Sequence, residues 1–437
     1  MIPNNESNII ERLENLINTI KLVFASTFYK TSKDYFKMTS HRIEEEKMAV
    51  IVQKLVGTKH HNRFYPDISG VAKSYNFYPI YPQKTKDGIV SVALGLGKTI
   101  VEGGNTVKFS SKYPEHLIQF YSTKSFLQNN QVDFFALDLN TKVEDLHKGE
   151  LIQDEFTKSY TLKEAELDGT LDLLGSTYSI QNDMIYDGIS REGVKMVTFA
   201  PILKYNIFPL PEIVETLLNL GSKGMGSAVE IEFAADLSRK NKEFGVLQMR
   251  PLVVHEEVEN INMHDFSKYD LLCKSDDVLG SGINNDIRDI ICVDKDSFDR
   301  SKTKDIASEV SQLNSEMLEK GKQYLLIGFG RWGTLDPWLG IPVVWSQIAG
   351  AKAIIEADMK DLDVEPSQGS HFFQNLTSFS ISYFTIKDTN KNSFINWKWL
   401  NGQKINKKLK YVKHIELQKP LSIKINAHKK LGIILKP

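Results

Sequence analysis

The chain has 437 residues, enough for two or three domains with cores of ordinary size. Its 41% apolar and 25% charged residues exclude a disordered or fibrous protein, and a formal net charge of -1 gives no global reason for nucleic acid to bind. Two cysteines, Cys273 and Cys292, are too few for a disulfide framework or a zinc site and form no CxxC pair, which fits a reducing, cytoplasmic setting.

The first residues, MIPNNESNIIERLENL, lack a basic start followed by an apolar core, so no signal peptide is expected, and no apolar run approaches the ~20 residues that cross a bilayer. Residues 6 to 47 carry apolar positions at helix spacing (Ile9, Ile10, Leu13, Leu16, Ile17) and then a more polar helical stretch ending in EEEK. The β-branched run AVIVQKLVG, residues 49 to 57, predicts a buried strand. From there to about residue 255 the pattern is one of short strands between turn signals. Two of them are expected in GIVSVALGLGKTIVEGG (88 to 104), and one clear helix is opened by Pro211 and closed by the glycines of GSKGMG.

Residues 255 to 310 are rich in Asp, Asn, Ser and Lys with weak periodicity, which predicts a linker. A second domain is expected from about 305: a helix in IASEVSQLNSEMLEKGK, a strand in YLLIGF, the loop GRWGTLDPWLGIP, a strand or helix through VVWSQIAGAKAIIEAD and a strand in SISYFTI. Residues 401 to 437 hold ten lysines against the single acid Glu416. Lysine-protected edge strands account for this better than a nucleic-acid surface, because few aromatics are interleaved for base stacking.

One stretch concentrates polar chemistry. In EIEFAADLSRKNKEFGVLQMRP, residues 230 to 251, Glu230 and Glu232 are two apart in one apolar run and Gln248 and Arg250 two apart in the next, with a polar turn between. Alternation puts each pair on one strand face, and an antiparallel hairpin brings the four groups to one patch of sheet. Two carboxylates roughly 6 to 7 Å apart repel by roughly 2 to 3 kcal/mol at an effective dielectric of about 20, so positive charge is expected beside them. Arg250 is one source and a divalent ion another, since Mg²⁺ takes carboxylate together with phosphate oxygens. On pattern alone, a structural salt bridge across the strands explains the four groups as well.

The order and spacing resemble the ATP-binding domain of the phosphoenolpyruvate synthase and pyruvate phosphate dikinase family, an ATP-grasp fold. There a "D/E-x-E-F" strand is followed by a "LQ-x-R" strand, here Glu230-Ile231-Glu232-Phe233 and Leu247-Gln248-Met249-Arg250-Pro251. AVIVQKLVG is similar to the family's hinge strand; DISGVAKS to its "SGV-x-FT" strand, with Lys73-Ser74 in place of Phe-Thr; and ALGLGKTIVEGG to its "GLGE-x-VV-x-G" turn, with Lys98 in place of the acid. The resemblance implies ATP and Mg²⁺ as cofactors. Gln53 and Leu55 would lie at the adenine, Glu230, Glu232 and Gln248 at the metal or phosphates, and Arg250 at the γ-phosphate. It also implies that a Gly-Ser-rich subdomain of the nucleotide clamp is missing ahead of the hinge, so the ATP-grasp domain is partial and another chain is expected to complete it.

For the second half, the family's phosphorylatable histidine suggests His371 in PSQGSHFFQNLTSF as phosphoryl acceptor, the alternative being a cap or core histidine among Phe372, Phe373 and Phe379. In GRWGTLDPWLGIP, Arg331 with Gly330 and Gly333 would cradle a phosphate and Trp332 or Trp338 stack on a ring, or the loop is simply packed. The expected fold is α/β (α+β): N-terminal helices over 1–48, a partial ATP-grasp region over 49–255, a linker over 256–304 and a smaller α/β domain over 305–437. The expected function is ATP-dependent phosphoryl transfer to a small molecule or a histidine. The rival from another class is a non-catalytic nucleotide-binding or scaffold module.

Overall fold

In a computed structural model, residues 1–29, 32–33, 47–117, 126–127, 129–141, 156–238, 241–252, 270–334, 336–358, 371–379, 381–387, 390, 392–427 and 429–437 are described. The chain forms two compact units, Met1–Leu252 and Val253–Pro437. No helix among the described residues is long and apolar enough to cross a membrane.

The N-terminal unit opens with α1 (Ile9–Ser26), whose first turn is capped by the Asn8 side chain accepting from the Ile10 amide at 2.9 Å. The helix is amphipathic as its spacing predicts, yet none of its residues is buried and Ile9, Ile10 and Leu13 are more than half exposed. The polar stretch expected to follow lies mostly outside the described residues. Residues 49–57 form no strand, which corrects the expectation from their β-branched composition: Ile51 and Val52 are 82% and 64% exposed, and only Val56 and Gly57 are buried.

A five-stranded antiparallel sheet carries the rest of the site's scaffold. Its strands are β1 (Ile68–Lys73), β2 (Ile89–Ala93), β3 (Val107–Phe109), β4 (Val229–Asp236) and β5 (Glu243–Pro251), in the order β5-β4-β1-β2-β3. The second strand expected within residues 88–104 is instead the short helix α2 (Lys98–Val101), because the glycines of GLG break the extended run at Ala93. Helix α3 (Leu210–Met225) starts with Pro211 in its first turn and stops at Gly226 in the left-handed conformation, as expected. It packs on one sheet face, where Gly221 lies against Met249 and Val229. Two smaller antiparallel sheets, one including residues 133–138 and one including 175–179, share a core with this face through Phe134, Leu171 and Val197. At Gly70 on β1 a Cβ would lie 2.0 Å from Cζ of Phe233, so the ring rests directly on the glycine.

Asp67, just before β1, is buried with Asp236 at the end of β4. Its carboxylate accepts from the Ser238 amide at 3.0 Å, but burial, together with the neighbouring Asp236 charge, pushes its pKa up to about 6. A carboxyl whose folded pKa is raised contributes stability in full below its unfolded value near 4 and loses that contribution as pH rises through 6. We expect Asp67→Asn to flatten this slope, leaving the variant more stable than the parent at pH 7.5 but not at pH 4, by on the order of 2 kcal/mol. Urea denaturation at the two pH values measures the difference.

The C-terminal unit has three layers. A seven-stranded sheet contains β7 (Asp277–Leu279) at one edge and a parallel centre formed, in chain order, by β9 (Asp289–Val293), β10 (Tyr324–Phe329), β11 (Ala351–Ala357) and β12 (Ser382–Ile386). Helices α4 (Thr303–Glu319) and α5 (His371–Ser378) follow β9 and β11 respectively. The Tyr324 hydroxyl donates to the side-chain Oδ1 of Asn314 on α4 at 2.9 Å. On the opposite face lies an antiparallel sheet that includes β6 (Leu271–Ser275), β8 (Ser281–Asn284) and β13 (Phe394–Ile395). The expected linker 256–304 is therefore corrected: residues 271–293 supply strands to both sheets, and 256–269 lie outside the described residues. These strands are too short for their alternation to register in sequence.

The lysine-rich tail is also reassigned. Of its strands β14 (Ile405–Lys408), β15 (Val412–Glu416), β16 (Ser422–Asn426) and β17 (Leu431–Leu435), only β14 is an edge. β15 lies between β14 and β9, and β17 between β16 and β6. Lys413 is 6% exposed because Asn401 and Asp294 receive its ammonium at 2.9 and 3.6 Å, and Lys408 also pairs with Asp294 at 3.2 Å.

Candidate functional site

The β4–β5 hairpin forms as the sequence predicts, and its register places Glu230 opposite Arg250 and Glu232 opposite Gln248. On its other side β4 pairs with β1, which sets Lys73 beside Glu230 and Val71 beside Glu232. Directly paired residues share a sheet face, so Lys73, Glu230, Glu232, Gln248 and Arg250 stand together on the face away from α3. The same cross-strand row continues through Ser91 of β2 to Lys108 of β3. Part of this face is covered by α2, where Ile100 clusters with Val71 and Ala93.

Charge is distributed in an ordered way. The Glu230 side chain is 2% exposed; its Oε2 lies 2.9 Å from Nζ of Lys73, which is 1% exposed, and its Oε1 accepts from Arg250 Nε at 2.7 Å and from Arg250 Nη2. Burial alone would raise the Glu230 pKa, but the Lys73 and Arg250 charges overcome it and hold the carboxyl below its usual range. Lys73 itself is pulled below the usual lysine range by burial, against the attraction of Glu230. Arg250 Nη2 also lies 3.7 Å from Glu232 Oε1, and both of these side chains are about a quarter exposed. Gln248 is exposed. The row thus grades from a dry, neutralised pair at Lys73–Glu230 to a wet edge at Glu232, Gln248 and Arg250.

Gln53 is brought to the same strand by a different route. The β4–β5 register slips between Glu232 and Phe233, leaving Leu247 as the extra residue of a bulge. Its carbonyl accepts from Gln53 Nε2 at 2.9 Å. Leu55 packs half-buried against the core of the unit. A cavity of about 610 Å³ is lined by Asn219 and Ser222 of α3 with Ser74 and Lys112, so it belongs to the helix side of the sheet and not to the polar row.

The sequence profile of the pyruvate phosphate dikinase AMP/ATP-binding domain matches residues 8–270, more than half of the chain. The chain belongs to that family. The match takes in α1 and the whole five-stranded sheet, so the polar row lies inside an AMP/ATP-binding domain. No curated protein matches the chain.

Against this family background, Lys73 is the residue that reading the strand motif missed as part of the site. The signal was present: a lysine closes the otherwise apolar run ISGVAK, all of whose residues are buried. Lys98, in place of the family motif's acid, pairs with Glu102 at 3.9 Å and sits 5.0 Å over the Phe135 ring.

The remaining candidates belong to the other unit. His371 opens α5, while Gly369 and Ser370 lie outside the described residues. In the GRWG loop Arg331 and Trp332 are 6% and 3% exposed, so the packed alternative describes them, whereas Trp338 is 63% exposed. The Trp332 ring lies on Gly328, where a Cβ would come within 2.2 Å. Arg331 lends its charge to the buried Glu356, whose pKa burial pushes up to about 7 and whose carboxylate accepts from the Tyr383 hydroxyl. Both cysteines are buried thiols; burial pushes Cys292 up to about 12.

Proposed function

We propose that the N-terminal unit binds ATP with Mg²⁺ along Glu232, Gln248 and Arg250 and serves ATP-dependent phosphoryl transfer of the phosphoenolpyruvate synthase or pyruvate phosphate dikinase type. The observation that carries this is the division of labour in the row: Glu230 is saturated by Lys73 and Arg250, while Glu232 and Gln248 face each other at the accessible edge.

Among the described residues no three acidic, histidine or cysteine side chains converge to hold a metal by themselves. One carboxylate with one amide nonetheless suits Mg²⁺, which binds through one or two carboxylates plus phosphate oxygens. Glu232 and Gln248 would hold the ion, and Glu230 is left as the anchor of Arg250. When bound, the metal supplies charge neutralisation on the phosphate oxygens. Arg250, fixed to Glu230 through Nε and Nη2, presents its remaining N–H groups to a phosphate. Gln53 and Leu55 mark the side where a purine would lie along β5. The phosphoryl acceptor is His371 or a separate small molecule.

Calorimetry with ATP–Mg²⁺ tests this reading: Glu232→Ala and Arg250→Ala should each weaken binding by at least about tenfold, the value of one charge-assisted hydrogen bond. Unchanged affinity in both variants would remove the nucleotide from this face. A nucleotide-sensing module without turnover is the second reading, favoured by the exposed, strand-free residues 49–57 where the resemblance expects a hinge strand. Binding of ATP without transfer of its labelled γ-phosphate to water, small acceptors or His371 would select it.

A further inference from the structure

We infer that Lys73 is a positioning residue for Arg250, holding the buried Glu230 carboxylate from the far side so that Arg250 keeps its outer edge for an anion. This inference rests on the phosphate-binding reading of the row.

Three strands place Arg250, Glu230 and Lys73 in one line, with Glu230 in the middle. Its two oxygens are divided between the two cations, Oε2 to Lys73 at 2.9 Å and Oε1 to Arg250 Nε at 2.7 Å. Lys73, Arg250, Glu230 and Glu232 sum to zero charge. Without the lysine the four positions would carry -1, and Arg250 would face two carboxylates alone. A guanidinium clamped between two acids has little left to offer a triphosphate, and a net negative patch repels one. The ammonium suits the position: it is a compact charge that a fully enclosed slot beside β4 accommodates, where a second planar guanidinium would need a wider one. Burial of both Lys73 and Glu230 costs solvation, which their contact at 2.9 Å offsets only because both are present.

The experiment compares the intact chain with Lys73→Met and with Lys73→Met/Glu230→Gln, measuring ATP–Mg²⁺ affinity by calorimetry and the Arg250 Nε–H resonance by ¹⁵N NMR without nucleotide. Lys73→Met should weaken ATP–Mg²⁺ about tenfold or more and broaden the Arg250 Nε–H signal. The double variant restores zero charge and keeps an oxygen for Arg250 to donate to, so its affinity should return to near that of the parent. A lysine that is merely structural would lower the unfolding temperature and leave the affinity of the folded protein unchanged, which overturns the inference. Should Lys73→Met alone not fold, the double variant decides: near-parental affinity supports the positioning role, and a loss equal to that of Arg250→Ala overturns it. If the parent itself binds no ATP–Mg²⁺, the phosphate reading falls. The resonance then decides on Lys73 alone, with an undisturbed Arg250 signal in Lys73→Met overturning the inference.

Discussion

Replacing Glu230 by leucine is expected to destabilise the N-terminal unit by about 3–5 kcal/mol, the cost of leaving one member of a buried ion pair without its partner. The member left behind is Lys73, 1% exposed and enclosed between β4 and β2. Exchanging both partners, as Lys73→Met/Glu230→Leu, should recover most of the loss, since removing a buried pair together is often close to neutral. The sequence offers a convenient way to follow this. All five tryptophans lie between residues 332 and 399, in the C-terminal unit, so circular dichroism at 222 nm reports on both units and tryptophan fluorescence on the second alone. In Glu230→Leu the dichroism transition should begin at lower denaturant while the fluorescence transition keeps its midpoint. A dichroism curve that superimposes on the parent's would show that the pair contributes little.

The second large effect is expected at Gly70. A methyl group there would lie 2.0 Å from Cζ and 2.5 Å from both Cε atoms of Phe233. That ring is 1% exposed and stacked on Phe244 with centroids 5.0 Å apart, so it has little room to retreat. Overpacking of this kind costs about 1–3 kcal/mol, and Gly70→Ala belongs at the upper end because the contact falls on a rigid ring between two strands. Gly70→Ala/Phe233→Leu should regain part of the loss, and thermal unfolding of the three proteins measures both steps. The glycine of SGV is thus explained by what lies on it, a ring on the directly paired strand more than 160 residues away in sequence.

The hairpin that carries Glu230, Glu232, Gln248 and Arg250 was legible because its signal is local: two alternating runs around a polar turn, with the pairing fixed by geometry. The Pro211 helix and the YLLIGF strand were legible for the same reason. What escaped depended on distant partners. Lys73 looked like a departure from a motif until β1 was set beside β4. Residues 49–57 have the composition of a strand, yet beside them β5 carries the bulge at Leu247, and the Gln53 side chain takes the carbonyl there. Composition also misjudged 271–293 and the tail. A lysine reads as exposed until the acid that holds it is known, and Asp294 holds both Lys408 and Lys413.

The pairing of β6 with β17 joins the first and last strands described in the C-terminal unit, Leu271 opposite Leu435, and the Lys436 amide donates to the Asp270 carbonyl at 2.9 Å. A strand sequence that closes on itself in this way has interchangeable ends: a short linker from 437 back to 270 would span almost no distance, and new termini could be opened at the exposed turn near residue 321 without severing a strand. The same closure makes stepwise truncation uninformative, because cutting away β17 strips its neighbours β16 and β6 of a shared partner. Circular permutation, not deletion, is therefore the operation by which this unit can be moved, split or fused while its sheets stay whole.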